Sequence, residues 1–305
     1  MEKHRKKLIK NAAVFDGHSS GLVQGKKIVI EDDIVTEITA DEVSEENFDE
    51  VFDGTGMVAM PGMTDAHVHM GCLFAKGEFP VDYATVLTVA KCKDALMAGF
   101  TTFRDAGSVS EGLKLAFDEG VLPGPRIYPC GAYISQTCGH GDSEYAHTYR
   151  DIQYRHPSST VLADGVPEII RAVREQFYRG ASHIKLMATE ILNRHEDIRL
   201  LFGTDMMITG PDYQVEQSED IRYYEKRFGT MRALRALTGT ANEVFALTTY
   251  QNPYPKGKIG VLEAGSYADL LLVDGDPTKS VLVLADTDHL RLIMKGGTVY
   301  KNTLC

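Results

Sequence analysis

One short stretch, residues 57–71 with the sequence MVAMPGMTDAHVHMG, constrains the fold of this chain more than any other. An apolar run ends at a Pro-Gly break, and the residues after the break have the pattern of a strand that enters a new domain. Side chains two residues apart point to one face of a strand, so His67 and His69 are predicted to project together. Two imidazoles on one face are two ready ligands for a metal ion, although paired strand histidines also occur as core or surface residues.

Both ends of the chain have the pattern of short strands joined by tight turns. Residues 25–38 alternate between apolar and polar and are interrupted by two aspartates, which predicts a hairpin. Near the other end, residues 268–273 have a pattern typical of a buried strand, and residues 295–300 predict a closing hairpin. We therefore expect the two ends to pair in space as one small β domain.

Between these ends, helical and strand patterns alternate, which predicts parallel strands with covering helices. The predicted helices are 82–99, 110–119 and 168–179, and the predicted strands are 100–105, 126–130 and 182–187. A barrel is the first candidate for this arrangement. The predicted organisation is a composite β-sandwich domain from 1–60 and 257–305, and a barrel domain from 61–256.

Charge and cysteine content exclude several classes of protein. A formal net charge of -11 at pH 7 argues against a nucleic-acid partner, because phosphate binding needs a basic surface. The basic N-terminus is not followed by the apolar run of a signal peptide, and no stretch is long and apolar enough to span a bilayer. The 5 cysteines are scattered and form no CxxC pair, which is typical of reduced thiols. We therefore expect a cytoplasmic protein.

In a parallel barrel the active groups lie at the C-terminal ends of the strands. His67 and His69 lie near the end of the first strand, and Lys185 lies near the end of the fourth in ASHIKLMAT. Asp205 ends the phrase IRLLFGTD, which predicts an apolar strand that runs into a Gly-Thr turn. A lysine inside a barrel must be paired or neutralised, and an ammonium cannot bind a cation. A salt-bridged lysine is therefore one interpretation of Lys185, and a helix-capping residue is one interpretation of Asp205.

The phrases PGMTDAHVHMG, IKLMAT and FGTD, in this order, resemble the metal-dependent amidohydrolase superfamily in its imidazolonepropionase-like and Xaa-Pro or Xaa-Arg dipeptidase branch. The later phrase GVLEAGSYADLLLVD resembles the C-terminal signature of the same superfamily. The resemblance implies an α/β fold, a (β/α)8 TIM-type barrel of the amidohydrolase kind with a small β domain formed from both termini. It also implies a divalent cofactor, zinc as one or two ions.

The same resemblance implies roles for individual residues. His67 and His69 match the ligands of the more buried metal, and Lys185 matches a lysine that carbon dioxide carbamylates, which gives an anion able to bridge two metals. Asp205 matches an aspartate that binds the buried metal and takes a proton from the attacking water. His140, in TCGHGD, matches a substrate-binding histidine, and a structural loop histidine is the alternative.

The resemblance covers almost the whole chain but is interrupted between Ala188 and Asn193. The family places two more metal-binding histidines on strands between the lysine and the aspartate, whereas only 20 positions separate Lys185 from Asp205 here. About three β/α units and both histidines are therefore expected to be missing. A complete barrel needs about 250 residues, and the stretch 58–256 is shorter than that. An internal deletion or an omitted segment would explain the gap, and so would a shortened protein that compensates by association.

The resemblance implies a metal-dependent amidohydrolase that hydrolyses the C–N bond of a dipeptide or N-acyl amino acid. In that reaction a metal-bound hydroxide attacks the carbonyl and Asp205, the catalytic residue, passes the proton to the leaving nitrogen. Two alternatives stay open: a cyclic amidohydrolase or deaminase of the same fold, and a catalytically impaired remnant that acts as a binding or assembly module. The expected partners are a small-molecule substrate and further copies of the chain as a homo-oligomer, with no nucleic acid and no membrane.

Overall fold

The computed structural model describes residues 5–70, 81–107, 111–139, 141–142, 160–187, 199–207 and 213–304. None of the helices in these ranges has the length and apolar character needed to cross a bilayer. The strands are β1 (Lys6–Lys10), β2 (Ala13–Val14), β3 (Lys27–Glu31), β4 (Ile34–Thr39), β5 (Glu50–Asp53), β6 (Val58–Pro61), β7 (Met63–His69), β8 (Phe100–Asp105), β9 (Arg126–Tyr128), β10 (Tyr133–Ser135), β11 (Thr160–Leu162), β12 (Leu186–Met187), β13 (Met206–Met207), β14 (Leu270–Val273), β15 (Leu290–Lys295) and β16 (Thr298–Asn302). The α-helices are α1 (Val81–Met97), α2 (Glu111–Asp118), α3 (Val166–Tyr178), α4 (Tyr213–Phe228), α5 (Thr230–Leu237) and α6 (Gly239–Phe245), and 3-10 helices are Glu45–Asn47, Ala246–Gln251, Val281–Ala285 and Thr287–His289.

Two mainly antiparallel sheets contain the strands near the chain ends. One has the order β4-β3-β1-β5, and the other has the order β16-β15-β14-β6-β2, so the second sheet contains strands from both ends of the chain. The predicted hairpins are confirmed, because β3 pairs with β4 and β15 pairs with β16 in antiparallel register. A contiguous apolar core that includes side chains of both sheets lies between them.

Strand β14 explains why the predicted buried run is continuously apolar. Leu270 and Leu272 belong to the core between the two antiparallel sheets, whereas Leu271 and Val273 belong to a second core shared with the α/β part of the chain. Alternate side chains of a strand point to opposite faces. Because both faces of β14 are covered, each of these positions has to be apolar.

The remaining strands of the described chain form two parallel sheets. One has the order β13-β7-β8-β9 and the other has the order β11-β10-β12, with every pair parallel. Strands β7, β8 and β9 alternate with α1 and α2, as the sequence pattern predicted. Among the described residues these strands form two separate sheets, and they do not close into a barrel.

Several boundaries differ from the sequence-based expectation. The strand predicted at 182–187 is limited to β12, and the apolar residues 199–205 form no strand, so Asp205 precedes β13 instead of ending a strand. Phe202 of this segment is fully buried in the core, which explains its apolar character without sheet pairing. Apolarity alone predicts burial, and only hydrogen-bonding partners make a strand.

A buried ion pair joins the α/β part to the five-stranded sheet. The guanidinium of Arg126 donates to both carboxylate oxygens of Asp269, at 2.7 and 3.2 Å. The backbone N–H of Gly296 also donates to Asp269, and the ring of Tyr267 lies 3.9 Å from the guanidinium carbon. The aspartate of the C-terminal ADLLLVD phrase therefore holds the two parts together.

Candidate metal centre

Strand β7 supplies two of the side chains that converge at the candidate site. It lies between β13 and β8, and its two-residue period places His67 and His69 on one face with their ring centroids 5.3 Å apart. Val68 points to the opposite face and belongs to the core. The side chain of His69 is 5% exposed and that of His67 is 39% exposed, so the site has a buried and an accessible side.

The third converging side chain comes from the turn before β13. The N–H of Asp205 donates to the carbonyl of His67 at 2.8 Å, and Asp205 has a left-handed backbone with φ of 56°. The turn lies so close to β7 that a Cβ at Gly203 would be 2.7 Å from the Cβ of His67. Only glycine permits this approach without a shift of the backbone.

The carboxylate of Asp205 faces both imidazoles. Its Oδ1 lies 3.2 Å from Nε2 of His67 and 3.4 Å from Nε2 of His69. One ligand atom from each of these three residues lies within 4.8 Å of the other two. Two imidazole nitrogens and one carboxylate oxygen are a donor set typical of zinc in enzymes.

The spacing of these atoms is compatible with a metal ion. Zinc binds histidine nitrogen and carboxylate oxygen at about 2.0–2.2 Å in a tetrahedral arrangement, so two neighbouring ligand atoms should lie about 3.3–3.5 Å apart. The Nε2–Oδ1 distances of 3.2 and 3.4 Å are close to this value. The side chains present therefore fit a divalent cation, and Asp205, at 73% exposure, leaves room for further ligands.

Lys185 lies beside the same three residues. Its Nζ is 3.2 Å from Nε2 of His67. Burial, followed by the charge of Lys185, lowers the pKa of His67 to about 4, so this imidazole is neutral at pH 7 and has a lone pair to share. Burial also lowers the pKa of Lys185, against the opposing charge of Asp205. An ammonium at this place competes with a cation for the lone pair of His67.

Asp65 lies beneath the converging residues and is fully buried. Burial raises the pKa of Asp65 to about 7, although several hydrogen bonds act in the opposite direction. Its carboxylate accepts hydrogen bonds from Thr204 and from Tyr213 of α4. Sequence reasoning did not single out these three residues, and the available signal was that Asp65 shares a strand face with the two histidines.

A second polar cluster adjoins the site on β8 and the segment before β12. Arg104 donates to the carbonyl of Ala66, and Nε2 of His183 lies 3.0 Å from the carbonyl oxygen of Asp105. Burial lowers the pKa of His183 to about 3, so the ring is neutral and takes part in packing. These contacts tie β8 and the residues around Lys185 to the strand of the histidines.

The structure brings together four of the five residues that the sequence singled out. His67, His69, Lys185 and Asp205 share one place, although they come from three separate segments of the chain. His140 lies outside the described residues. The metal-binding and catalytic roles of these residues remain predictions.

The sequence matches a family profile and two curated relatives that are named for an enzymatic activity. Residues 58–197 match the profile of the amidohydrolase family. Ochratoxinase of Aspergillus niger is 34% identical over 152 residues, which cover 43% of this chain and 31% of the fungal protein. Imidazolonepropionase of Picrophilus torridus is 39% identical over 176 residues, which cover 53% of this chain and 43% of that protein. The chain therefore spans less than half the length of these curated relatives.

The chain is also similar to a solved structure of a Xaa-Pro dipeptidase with methionine bound in the active site. The TM-score is 0.76 at 20% identity, and the alignment covers 97% of this chain and 100% of the dipeptidase. At this level of identity the likeness establishes a shared fold.

Proposed function

We propose that this chain is a metal-dependent hydrolase of C–N bonds, because residues 58–197 match the profile of the amidohydrolase family, which the motif of β7 resembles. The observation that carries the proposal is the convergence of two imidazole nitrogens and one carboxylate oxygen at zinc-like spacing. His67, His69 and Asp205 would hold the cation, with zinc as the first candidate. A bound divalent cation supplies an acidified water and polarises the carbonyl of the substrate.

Asp205 and His69 have separate proposed roles beside the cation. The carboxylate of Asp205 would accept a proton from the attacking water and deliver it to the leaving nitrogen. The imidazole of His69 is buried, which keeps water from this side of the site. Asp205 is open to solvent, so a substrate can approach the carboxylate without a rearrangement of the described residues.

Lys185 is proposed to become a carbamate. Burial favours its neutral amine, the form whose nitrogen can add to carbon dioxide with loss of one proton. This addition would replace a cation beside His67 with an anion and remove the competition for the lone pair of Nε2. The product would offer oxygen ligands for a second ion, so one or two ions fit the proposal.

The substrate proposed is a dipeptide or an N-acyl amino acid. The Xaa-Pro dipeptidase, which shares the fold, is named for its action on dipeptides, and this supports an amide substrate. A cyclic amide is the second candidate, because imidazolonepropionase is similar to the longer stretch of this chain. His140 is proposed as the substrate contact.

The architecture and location proposed for the whole protein follow from the same observations. The five-stranded sheet supports a division into a β domain from 1–60 and 257–305 and an incomplete TIM-type barrel from 61–256. We propose that copies of the chain associate to cover the open edge of the parallel sheets. The free thiols, Cys92, Cys130 and Cys138 among the described residues, support a cytoplasmic location.

The metal content of the purified protein tests the proposal. We expect on the order of one equivalent of zinc or manganese, and His67→Ala should lose most of it together with on the order of 100-fold or more of any amide hydrolysis. His18→Ala, which removes an exposed imidazole that is not among the converging residues, is the matched control and should keep both.

Substrate panels complete the test. Dipeptides, N-acyl amino acids and cyclic amides are assayed side by side, and preferential ring opening would favour the second candidate. If the purified protein has neither bound metal nor turnover, the proposed enzymatic activity is contradicted and a role as a binding or assembly module is favoured.

A further inference from the structure

Asp65 joins the two segments that carry the converging side chains. Its Oδ1 accepts the N–H of His67 at 3.1 Å on its own strand, and the N–H of Thr204 at 3.2 Å on the turn before β13. Its Oδ2 accepts the hydroxyl of Thr204 at 2.7 Å and the phenol of Tyr213 at 3.0 Å. All four donors are electrically neutral, and all four lie in the α/β part of the chain.

The turn that contains Asp205 is held on both sides of this residue. Thr204 precedes it and is bound to Asp65, and the N–H of Met206, which follows it, donates to the hydroxyl of Thr204 at 3.2 Å. The N–H of Asp205 itself donates to the carbonyl of His67 at 2.8 Å. The backbone on either side of Asp205 is therefore tied to β7 or to the hydroxyl of Thr204, which Asp65 accepts.

This restraint is needed because Asp205 has a conformation that a free chain rarely adopts. Its φ of 56° is in the left-handed region, which a non-glycine residue keeps only where its surroundings enforce it. Its side chain is 73% exposed, so little packing directs the carboxylate. The backbone conformation of the turn consequently decides where the carboxylate points.

We propose that Asp65 is a positioning residue: its hydrogen bonds hold the turn that carries Asp205 against the strand that carries the two histidines. The inference rests on the proposed function, because the geometry that Asp65 maintains is that of the metal centre. Groups behind metal ligands commonly change metal affinity by about 10–100-fold when they are removed. Asp65 acts through the backbone of two ligand-bearing segments, because it accepts the N–H groups of His67 and Thr204.

The hydroxyl of Thr204 allows a test with a matched pair of variants. Thr204→Val keeps the shape of the side chain but removes the donor to Asp65, and Thr204→Ser keeps the donor. We expect the zinc affinity of Thr204→Val, measured by competition with a chromophoric chelator, to fall by about 10–100-fold. Thr204→Ser should keep the affinity of the unmodified chain, a rescue that a role in packing alone does not predict.

Two tyrosines provide the second comparison. The phenol of Tyr213 donates to Asp65, whereas the phenol of Tyr254, which is also buried, donates to Asp118 at 2.8 Å. Tyr213→Phe should weaken zinc binding, and Tyr254→Phe should leave zinc binding unchanged. Both variants should lower the melting temperature. Equal zinc affinity in the two variants would overturn the inference.

Hydrogen exchange in the metal-free protein separates failure of this inference from failure of the proposed function. The amide of Asp205 should exchange faster in Thr204→Val than in Thr204→Ser, because the turn is released. If the unmodified chain binds zinc but the two variants match in affinity and in exchange, Asp65 has no positioning role and the proposed function stands. If the unmodified chain binds no zinc, both proposals are overturned.

Discussion

Two regions of this molecule each bury an aspartate, but the hydrogen-bond partners of the two carboxylates differ in charge. Asp269, at the junction with the five-stranded sheet, is 3% exposed and receives a bidentate contact from Arg126. Asp65, beneath the candidate metal centre, is 0% exposed, and its hydrogen-bond donors among the described residues are all neutral. The first carboxylate has a permanent counter-charge inside the fold, and the second has none in the part of the chain that the structure describes.

The difference separates a structural contact from a contact that can respond to a ligand. Burial without a counter-charge raises the pKa of Asp65 to about 7, because desolvation penalises the charged form. A cation bound nearby would favour the charged form of Asp65. The junction around Asp269 is therefore complete without a ligand, whereas the region around Asp65 gains from one.

The largest expected effect is at the junction. Arg126→Met leaves the charge of Asp269 buried and unpaired, so we expect the free energy of unfolding to fall by about 3–5 kcal/mol. Urea denaturation measures this loss, and the double variant with Asp269→Leu should recover much of it. A loss below about 1 kcal/mol would show that Asp269 is compensated in another way.

The next effect is a pH dependence that Asp65 contributes. Its pKa is raised in the folded state, from 3.8 to about 7, so the folded protein binds more protons than the unfolded chain between these values. The contribution of Asp65 to stability is therefore fully present below pH 3.8 and is lost as the pH rises through 7, by at most about 1.4 kcal/mol per pH unit.

Asp65→Asn isolates this contribution. The difference in unfolding free energy between the unmodified metal-free protein and Asp65→Asn should decrease from pH 4 toward pH 7, measured by urea denaturation at each pH. A pH-independent difference would contradict the uncompensated burial of Asp65. Added zinc should reduce the slope, because a cation favours the anion.

The smallest expected effect comes from an ion pair on the surface. Arg199 and Glu243 approach to 2.8 Å, much as Arg126 and Asp269 approach to 2.7 Å, but their side chains are 55% and 48% exposed. Water screens an exposed pair, so Glu243→Gln should change the free energy of unfolding by less than about 1 kcal/mol. A loss as large as that of Arg126→Met would show that burial is not what distinguishes the junction.

Local pattern alone determined the elements and one part of the site. The two-residue period placed His67 and His69 on one strand face, and the apolar run of β14 predicted a buried strand. These properties depend on neighbours within a few positions, and backbone geometry converts such spacing directly into a face. The hairpins and the parallel α/β units followed from the same kind of signal.

Only the tertiary structure decided how these pieces are joined. Arg126 and Asp269 are 143 positions apart, and Asp65 and Thr204 are 139 positions apart, so no local periodicity relates the members of either pair. Segment 199–205 had the pattern of an apolar strand, yet it forms no strand: Phe202 is buried in the core, and the N–H of Asp205 donates to the carbonyl of His67 in β7. The choice between strand and turn depends on which backbone groups are available as partners in the folded chain, and those partners come from distant parts of the sequence.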